Sequence, residues 1–230
     1  MRAASSRTAE WSTPVRGGLP PVPLVAAAAA VVAAIGAVVA RGPAAGIVAA
    51  ALVGGLALAW ERAQGRLALR FFRARRLRAG EHPRVANLLE GVAFDTGIQV
   101  PRVYVIDAAG PNALACRAGG PAVALSAPLL ESYTRTELEA VIAHCMVRVR
   151  DGGTRGAARW CAFGSLGGAG IVAGVAEDAA AAEVTRYPPA LASAISKAEP
   201  RRGRFSSLFL VADHPSHEAR ELRLRALAEL

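Results

Sequence analysis

Two uncharged apolar runs separated by a short turn constrain this chain more than any other feature. Residues 22–40 and 44–60 contain no charged side chain, and the turn at 41–43 lies between them. Each run is close to the length that a helix needs to cross a hydrocarbon core of about 30 Å. Glycines in both runs would let two helices approach closely. The sequence therefore predicts a transmembrane helical hairpin over 21–60.

The N-terminal residues also allow a competing interpretation, a cleaved signal peptide, because a basic segment precedes the first apolar run. The second apolar run, which follows directly, favours the hairpin. Residues 1–20 are rich in Ser, Thr, Gly and Pro. This composition predicts a flexible cytoplasmic tail.

Arginines cluster directly after the second apolar run and indicate the orientation of the hairpin. The members of this cluster are Arg62, Arg66, Arg70, Arg73, Arg75, Arg76 and Arg78. Basic residues close to a span favour the cytoplasmic side. We therefore expect a multi-pass protein of the cell membrane with both ends and the soluble domain in the cytoplasm. Residues 61–80 predict a basic juxtamembrane helix on the anionic leaflet or, equally, a solvated connecting helix.

The net charge of +9 comes almost entirely from arginine, since Lys197 is the only lysine. Because the basic residues flank apolar segments and no nucleic-acid motif occurs, the sequence predicts a membrane as partner and excludes nucleic acid. The three cysteines are odd in number and have no C-x-x-C spacing. A disulfide framework or a thiolate zinc cage is therefore not expected, and a reducing compartment fits.

From residue 81 onward the pattern becomes that of a globular domain. Helical stripes and two short strands, at 102–106 and 122–126, predict an α+β, mainly helical fold. A central helix is predicted over 134–151, where two overlapping capping signals precede an apolar stripe. Two short helices are predicted over 177–197, broken at Pro188 and Pro189. Residues 160–176 are apolar but rich in glycine, which favours a buried or re-entrant segment.

The central helix contains half of a zinc-binding motif. In H-E-x-x-H, two histidines four residues apart hold zinc and the glutamate activates water. Here the five residues are HCMVR, so His144 keeps the first ligand position, Cys145 replaces the general base and Arg148 replaces the second ligand. A guanidinium has no lone pair for a metal ion. His144 is therefore at most a vestigial metal ligand.

With its elements in this order, the chain resembles the HtpX-type membrane zinc metallopeptidases, gluzincins related to the CAAX prenyl proteases. The resemblance implies a zincin-like metallopeptidase domain with a small edge sheet over 81–230. Besides the hairpin, it rests on the segments 81–107, 110–116, 122–144, 182–195 and 208–230.

The resemblance also implies a third ligand, a glutamate four residues before an aspartate. Asp178 matches that aspartate, and the ligand position is then Gly174. Only His144 of the four functional residues remains, so we expect no zinc cofactor and no hydrolysis. An ion pair between Arg148 and Asp178 is the predicted substitute for the metal. Glu177 would reach the ligand position only through a change of helical register.

The family's peptide-binding edge corresponds to Asn112, Ala113, Leu114 and Ala115, where a peptide or a protein partner would add a strand. The leading prediction is thus a membrane-anchored pseudopeptidase. The alternatives are an active zinc endopeptidase with unusual ligands and a purely structural membrane protein. Two further candidates are weaker, namely a metal site that joins His82, His214 and His217 to His144, and a Cys145 nucleophile with His144 as its base.

Overall fold

In a computed structural model of the chain, the residues that the structure describes are 21–78, 80–163, 173–201, 203 and 205–212. The predicted tail over 1–20 lies outside them. So do the glycine-rich part of the 160–176 stretch, His214, His217 and the predicted last helix.

Two long apolar helices begin the described chain, α1 (Pro21–Arg41) and α2 (Pro43–Phe71). They join at Gly42, whose φ of 84° lies in the left-handed region that favours glycine. They approach closely at Gly46, where an added Cβ would lie 2.1 Å from Val38 Cγ2. The chain therefore forms two packed helices here, while their crossing of a membrane stays a prediction.

Both helices present large apolar side chains to the outside of the protein. Val39 is 82% exposed and Leu56 is 74% exposed. Among the residues that the structure describes, α2 is the one helix long and apolar enough to cross a membrane, by length and composition. Only 6% of its most apolar window is buried within the protein. An apolar surface of this kind marks contact with lipid or with another protein.

The helix predicted over 61–80 is shorter than expected. Residues 61–71 continue α2 without a break, and the chain then turns into the short strand β1 (Arg75–Arg76). The turn is set by tertiary packing, because Phe72 is buried and its ring lies edge-on to Phe209, with 5.1 Å between centroids. Arg73 adopts a positive φ of 48° where the chain reverses.

A four-stranded mixed sheet follows, built from β1, β2 (Arg102–Ile106), β3 (Ala113–Arg117) and β4 (Pro121–Ser126). Its order is β1-β2-β4-β3, with β2 and β4 parallel and the other pairs antiparallel. The two strands predicted at 102–106 and 122–126 are confirmed.

Both faces of this sheet are covered, as the alternation along β3 shows. Ala113 and Ala115 belong to the core shared with the central helix, whereas Leu114 and Cys116 belong to a second core. This second core contains the end of α2 and the segment around Phe205 and Phe209. The apolar helices and the globular domain are thus joined through one packed interface.

Six further helices follow within the described residues. They are α3 (Pro83–Thr96), α4 (Ala127–Ser132), α5 (Arg135–Arg150), α6 (Gly153–Phe163), α7 (Ala173–Thr185) and α8 (Pro188–Lys197). The sequence predicts neither α4 nor α6, and α7 begins four residues before the predicted start at 177. The central helix α5 begins with a full capping box, in which Thr134 and Glu137 each accept from the other's backbone N–H. The break between α7 and α8 before Pro188 is confirmed. The second capping signal, at Thr136, lies within the first turn.

The central helix is buried on nearly all sides, rather than along the single stripe that the sequence predicts. Buried residues run without a break from Ala140 to Val149. Helix α5 packs against α3, α7 and α8 as well as β3. Every polar side chain on this helix between those residues must therefore find its partners inside the protein.

We expect Gly65→Ala to destabilise the contact between α2 and the sheet. An added Cβ would lie 2.2 Å from the carbonyl oxygen of Arg117, which is backbone and cannot rotate away. Overpacking of this kind costs about 1–3 kcal/mol. Thermal unfolding of the full chain in detergent measures it. Gly91→Ala is the matched control, since Gly91 is an exposed helical glycine with nothing within 4 Å. An equal loss in both variants would contradict the packing argument.

We expect the stability of the domain to fall as the pH drops from about 4.5 towards 2 because of Glu137. Burial raises the pKa of Glu137, but hydrogen bonds from Lys197, Ser193 and Thr134 outweigh it and lower the pKa to about 2. The unfolded carboxyl has a pKa of about 4.3. Since the folded pKa is the lower one, the stabilisation is complete above the unfolded pKa and is lost as the pH falls towards the folded value.

Unfolding temperatures between pH 7 and pH 2.5 test this prediction. Glu137→Gln should be less stable at pH 7 and should depend less on pH below 4.5. Glu131→Gln, which removes an exposed carboxylate, should keep the wild-type profile. A Glu137→Gln profile parallel to that of the wild type would refute the assignment.

Candidate functional site

The first predicted ligand, His144, lies in the interior between α5 and α7. Its Nδ1 is 2.8 Å from Oδ1 of Asp178, and both side chains are 2% exposed. A carboxylate on the second ring nitrogen is the arrangement that orients metal-bound histidines in proteins. His144 and Asp178 therefore form a buried pair with the geometry that an outer-shell carboxylate has towards a metal-bound histidine.

The second ligand position is filled by Arg148, whose side chain extends along the same face of α5 as His144. Its Nη1 donates to the carbonyl oxygens of Leu208 at 3.2 Å and Phe209 at 3.1 Å, and its Nη2 donates to that of Ser207. Arg148 is buried, with an exposed fraction of 6%. The guanidinium thus binds three consecutive carbonyls of one segment, about 60 residues away in sequence.

Two carboxylates on α7 complete this group, Glu177 and Asp178, which are 5% and 1% exposed. An added Cβ on Gly153 would lie 2.2 Å from Oε1 of Glu177 and 2.9 Å from Cγ of Arg148. Glu177 therefore lies against the start of α6, beside the aliphatic part of Arg148. We call His144, Arg148, Glu177 and Asp178 the buried polar cluster.

The described residues do not fit a zinc ion. Gly174, the third ligand position, lies in α7 and offers no donor atom to a metal. A guanidinium has no lone pair to offer a metal ion, and its permanent positive charge repels a cation. Within the described ranges, no group of three or more His, Cys, Asp or Glu side chains could hold a metal ion. The buried polar cluster therefore places an internal cation, Arg148, beside His144 and the two carboxylates of α7.

Cys145, at the general-base position, is part of the main core and is 1% exposed. Burial raises the pKa of its thiol to about 12, against a smaller opposite effect of Arg148. The group is a neutral thiol at physiological pH. It is neither a base nor an accessible nucleophile, which agrees with its predicted place in the apolar stripe.

Of the other candidate metal ligands, only His82 lies within the described residues, and it is not part of the buried polar cluster. His82 precedes α3 as its N-cap residue. His214 and His217 lie outside the described residues. The ion pair between Arg148 and Asp178 stays a prediction. The contacts described for these side chains are those of Arg148 with the carbonyls of 207–209 and of Asp178 with His144.

The predicted peptide-binding edge starts with Asn112, whose side chain forms hydrogen bonds with other segments of the same chain. Its side-chain Nδ2 donates to the carbonyls of Glu199 at 2.7 Å and Val211 at 2.8 Å. Its Oδ1 accepts from the backbone of Ala113 at 2.8 Å. Asn112 is 3% exposed. It therefore holds later segments of the chain against the start of β3.

The rest of this edge is paired with the chain itself. The backbone N–H of Leu210 donates to the carbonyl oxygen of Ala113 at 2.8 Å, and Leu114 forms an antiparallel β-bridge with Phe209. Ala113, Leu114 and Ala115 are at most 1% exposed. The segment 207–211 thus covers the predicted edge, which the sequence did not indicate. A peptide could pair there only after this segment had moved away.

Sequence reasoning missed the segment 207–211 as the partner of both Arg148 and β3. Its apolar stretch LFLV is the only local signal, and that signal is typical of any buried segment. The contacts depend on backbone carbonyls, which every sequence supplies equally.

Comparison with known proteins relates this arrangement to one group of peptidases. No family model matches the chain. A protease HtpX homolog of Tropheryma whipplei is 37% identical over 89 residues, which is 38% of this chain and 31% of that protein. Protease HtpX homolog 1 of Saccharolobus solfataricus is 48% identical over 60 residues, covering 25% of this chain and 19% of that protein. A Thermococcus sibiricus homolog is 32% identical over 88 residues, 37% and 30% of the two chains.

These matches support membership of the HtpX family. The predicted resemblance is confirmed to that extent. The chain covers about a third or less of the length of these curated HtpX relatives. A peptidase-family protein is therefore supported, and the activity of the whole HtpX protease does not follow from the matches alone.

We expect Arg148→Met to destabilise the fold and to release the segment 207–211. Methionine fills a similar volume but leaves two buried carbonyl groups and a partly buried one without their donor, which costs about 3 kcal/mol or more. Denaturant unfolding and limited proteolysis of the full chain measure the two effects. Arg155→Met, at an exposed arginine, should change neither. Wild-type protease resistance in Arg148→Met would contradict the anchoring role of Arg148.

Proposed function

We propose that this chain is a membrane-anchored, HtpX-like protein that does not hydrolyse peptide bonds and acts by binding. The buried guanidinium of Arg148 carries this proposal. It lies four residues after His144, where the motif requires a second histidine, and it donates to carbonyls at 207–209. A zinc ion would have to displace a permanent cation from partners that hold it, without a third ligand to compensate.

We further propose that α1 and α2 form a hairpin in the cell membrane with the globular domain in the cytoplasm. The exposed apolar side chains of both helices and the arginines after Trp60 support this orientation. The continuous α2 would then pass from the bilayer into the second core of the domain.

For the bound partner, we propose an extended peptide or a protein segment that replaces residues 207–211 at β3. The edge geometry supports this choice, because the displaced segment already pairs there through a β-bridge between Leu114 and Phe209 and a backbone hydrogen bond from Leu210 to Ala113. Binding would have to supply the hydrogen bonds that Arg148 and Asn112 now give to the chain itself.

A second function, zinc-dependent endopeptidase, is favoured by one observation. The similar proteins from Tropheryma whipplei and Thermococcus sibiricus are both called protease HtpX homologs. His144 with Asp178 would be the part of the site that such an enzyme needs.

Metal analysis of the purified full chain separates the two functions. We expect substoichiometric zinc, no casein cleavage and an unfolding temperature that a chelator leaves unchanged. A peptidase with an intact H-E-x-x-H, purified in parallel, should lose stability and activity in chelator, since bound zinc contributes to folding. One zinc per chain that is lost in His144→Ala, together with cleavage by the wild type, would establish the enzyme instead.

A further inference from the structure

An open groove lies where the end of α2 meets the sheet. Its volume is about 300 Å³, and Arg66, Arg70 and Arg73 line it together with Leu69 and Tyr104. Arg66 and Arg70 are four residues apart on one face of α2, and Arg73 follows in the turn after the helix. A second depression of about 320 Å³ shares Arg66 and Arg70. Two concave surfaces thus meet at the same pair of guanidinium groups.

The three guanidinium groups of this groove have no carboxylate partner within the described part of the chain. Other arginines do have one, as in Arg150 with Asp151 at 2.6 Å. No acidic residue lines either depression. Like charges four residues apart on a helix repel each other. An arrangement of three close cations without an anion is therefore the form of an anion-binding site.

The groove also lies at a defined height above the apolar part of α2. At 1.5 Å per residue, Arg66 is about 9 Å and Arg70 about 15 Å beyond Trp60 along the helix axis. Tryptophan is typical of the level where headgroups begin. If α2 spans the membrane, the guanidinium groups therefore lie at the level of lipid phosphates. The apolar side chain of Leu67 lines the second depression with them, and Phe71 at the end of α2 is 69% exposed.

We propose that this groove binds the phosphate of an anionic membrane phospholipid. Planar guanidinium groups bind phosphate oxygens through paired N–H donors, and three of them face one open surface here. The site rests on the proposed membrane anchoring of α2, and it adds a lipid class to that function. Bound lipid would neutralise the cations and fix the angle between α2 and the sheet.

The test uses the full chain in mild detergent with two short-chain lipids, dioctanoyl phosphatidylglycerol and dioctanoyl phosphatidylcholine. Affinity is measured from the ligand-dependent shift of the unfolding temperature. We expect the anionic lipid to bind more tightly than the zwitterionic one. The triple variant Arg66→Gln, Arg70→Gln, Arg73→Gln should lose affinity for the anionic lipid by about 100-fold.

A second triple variant controls for net charge. Arg135→Gln, Arg155→Gln and Arg186→Gln remove three exposed arginines that line neither depression. This control should bind the anionic lipid as the wild type does. Equal losses in both triple variants, or no loss in the groove variant, would overturn the site. The groove variant should unfold at or above the wild-type temperature without lipid, and the single variants Arg70→Gln and Arg73→Gln repeat the test if it does not fold.

Two further measurements separate the possible causes of failure. Inorganic phosphate that binds as tightly as the lipid, and that is lost in the same variant, would overturn the lipid as the source of the phosphate. Alkaline carbonate extraction of cell membranes reports on anchoring independently of the groove. A wild-type chain that is released by carbonate would refute the membrane anchoring, whereas a retained chain without lipid preference would refute the groove alone.

Discussion

The burial of one guanidinium, that of Arg148, is the constraint on which the globular domain depends. A charge in the interior is costly unless hydrogen bonds surround it. Three carbonyls from 207–209 supply these bonds, so that segment must lie beside α5. From there it pairs with β3 and covers the edge of the sheet. The partners of Arg148 on α5 are thus part of the same segment that covers β3.

In the buried polar cluster, the side chains contact one another or the backbone without a metal ion. Asp178 holds His144 as an outer-shell carboxylate holds a ligand, yet the next position on the helix face carries a cation. Glu177 lies beside the stem of that arginine, and only a glycine at 153 leaves room for it. Acidic and basic side chains are therefore gathered at one place between α5 and α7. This is our reason to propose binding rather than hydrolysis.

The apolar helices are not a separate module attached by a loose linker. Helix α2 runs from its exposed apolar part into the second core, where Ala68, Leu69 and Phe72 are buried against the sheet. A change in the tilt of α2 would therefore shift the packing of β3 and of the segment 207–211 that covers it. The arginine groove lies at this junction, so a lipid bound there would act on the same interface.

Local signals in the sequence specify several helices and strands of this protein. Periodicity, capping residues and helix breakers predicted the central helix with its Thr134 cap, the two strands and the break before Pro188, because these signals act within a few residues. The interpretation of His144 and Arg148 as an incomplete ligand pair stays a prediction. Tertiary packing buries α5 on nearly all sides, ends α2 at Phe71 and places 207–211 at the sheet edge. Those outcomes depend on contacts between groups far apart in the sequence, such as Arg148 with Leu208 and Phe72 with Phe209. Many of these contacts use backbone carbonyls, which every residue carries, so the sequence does not reveal them.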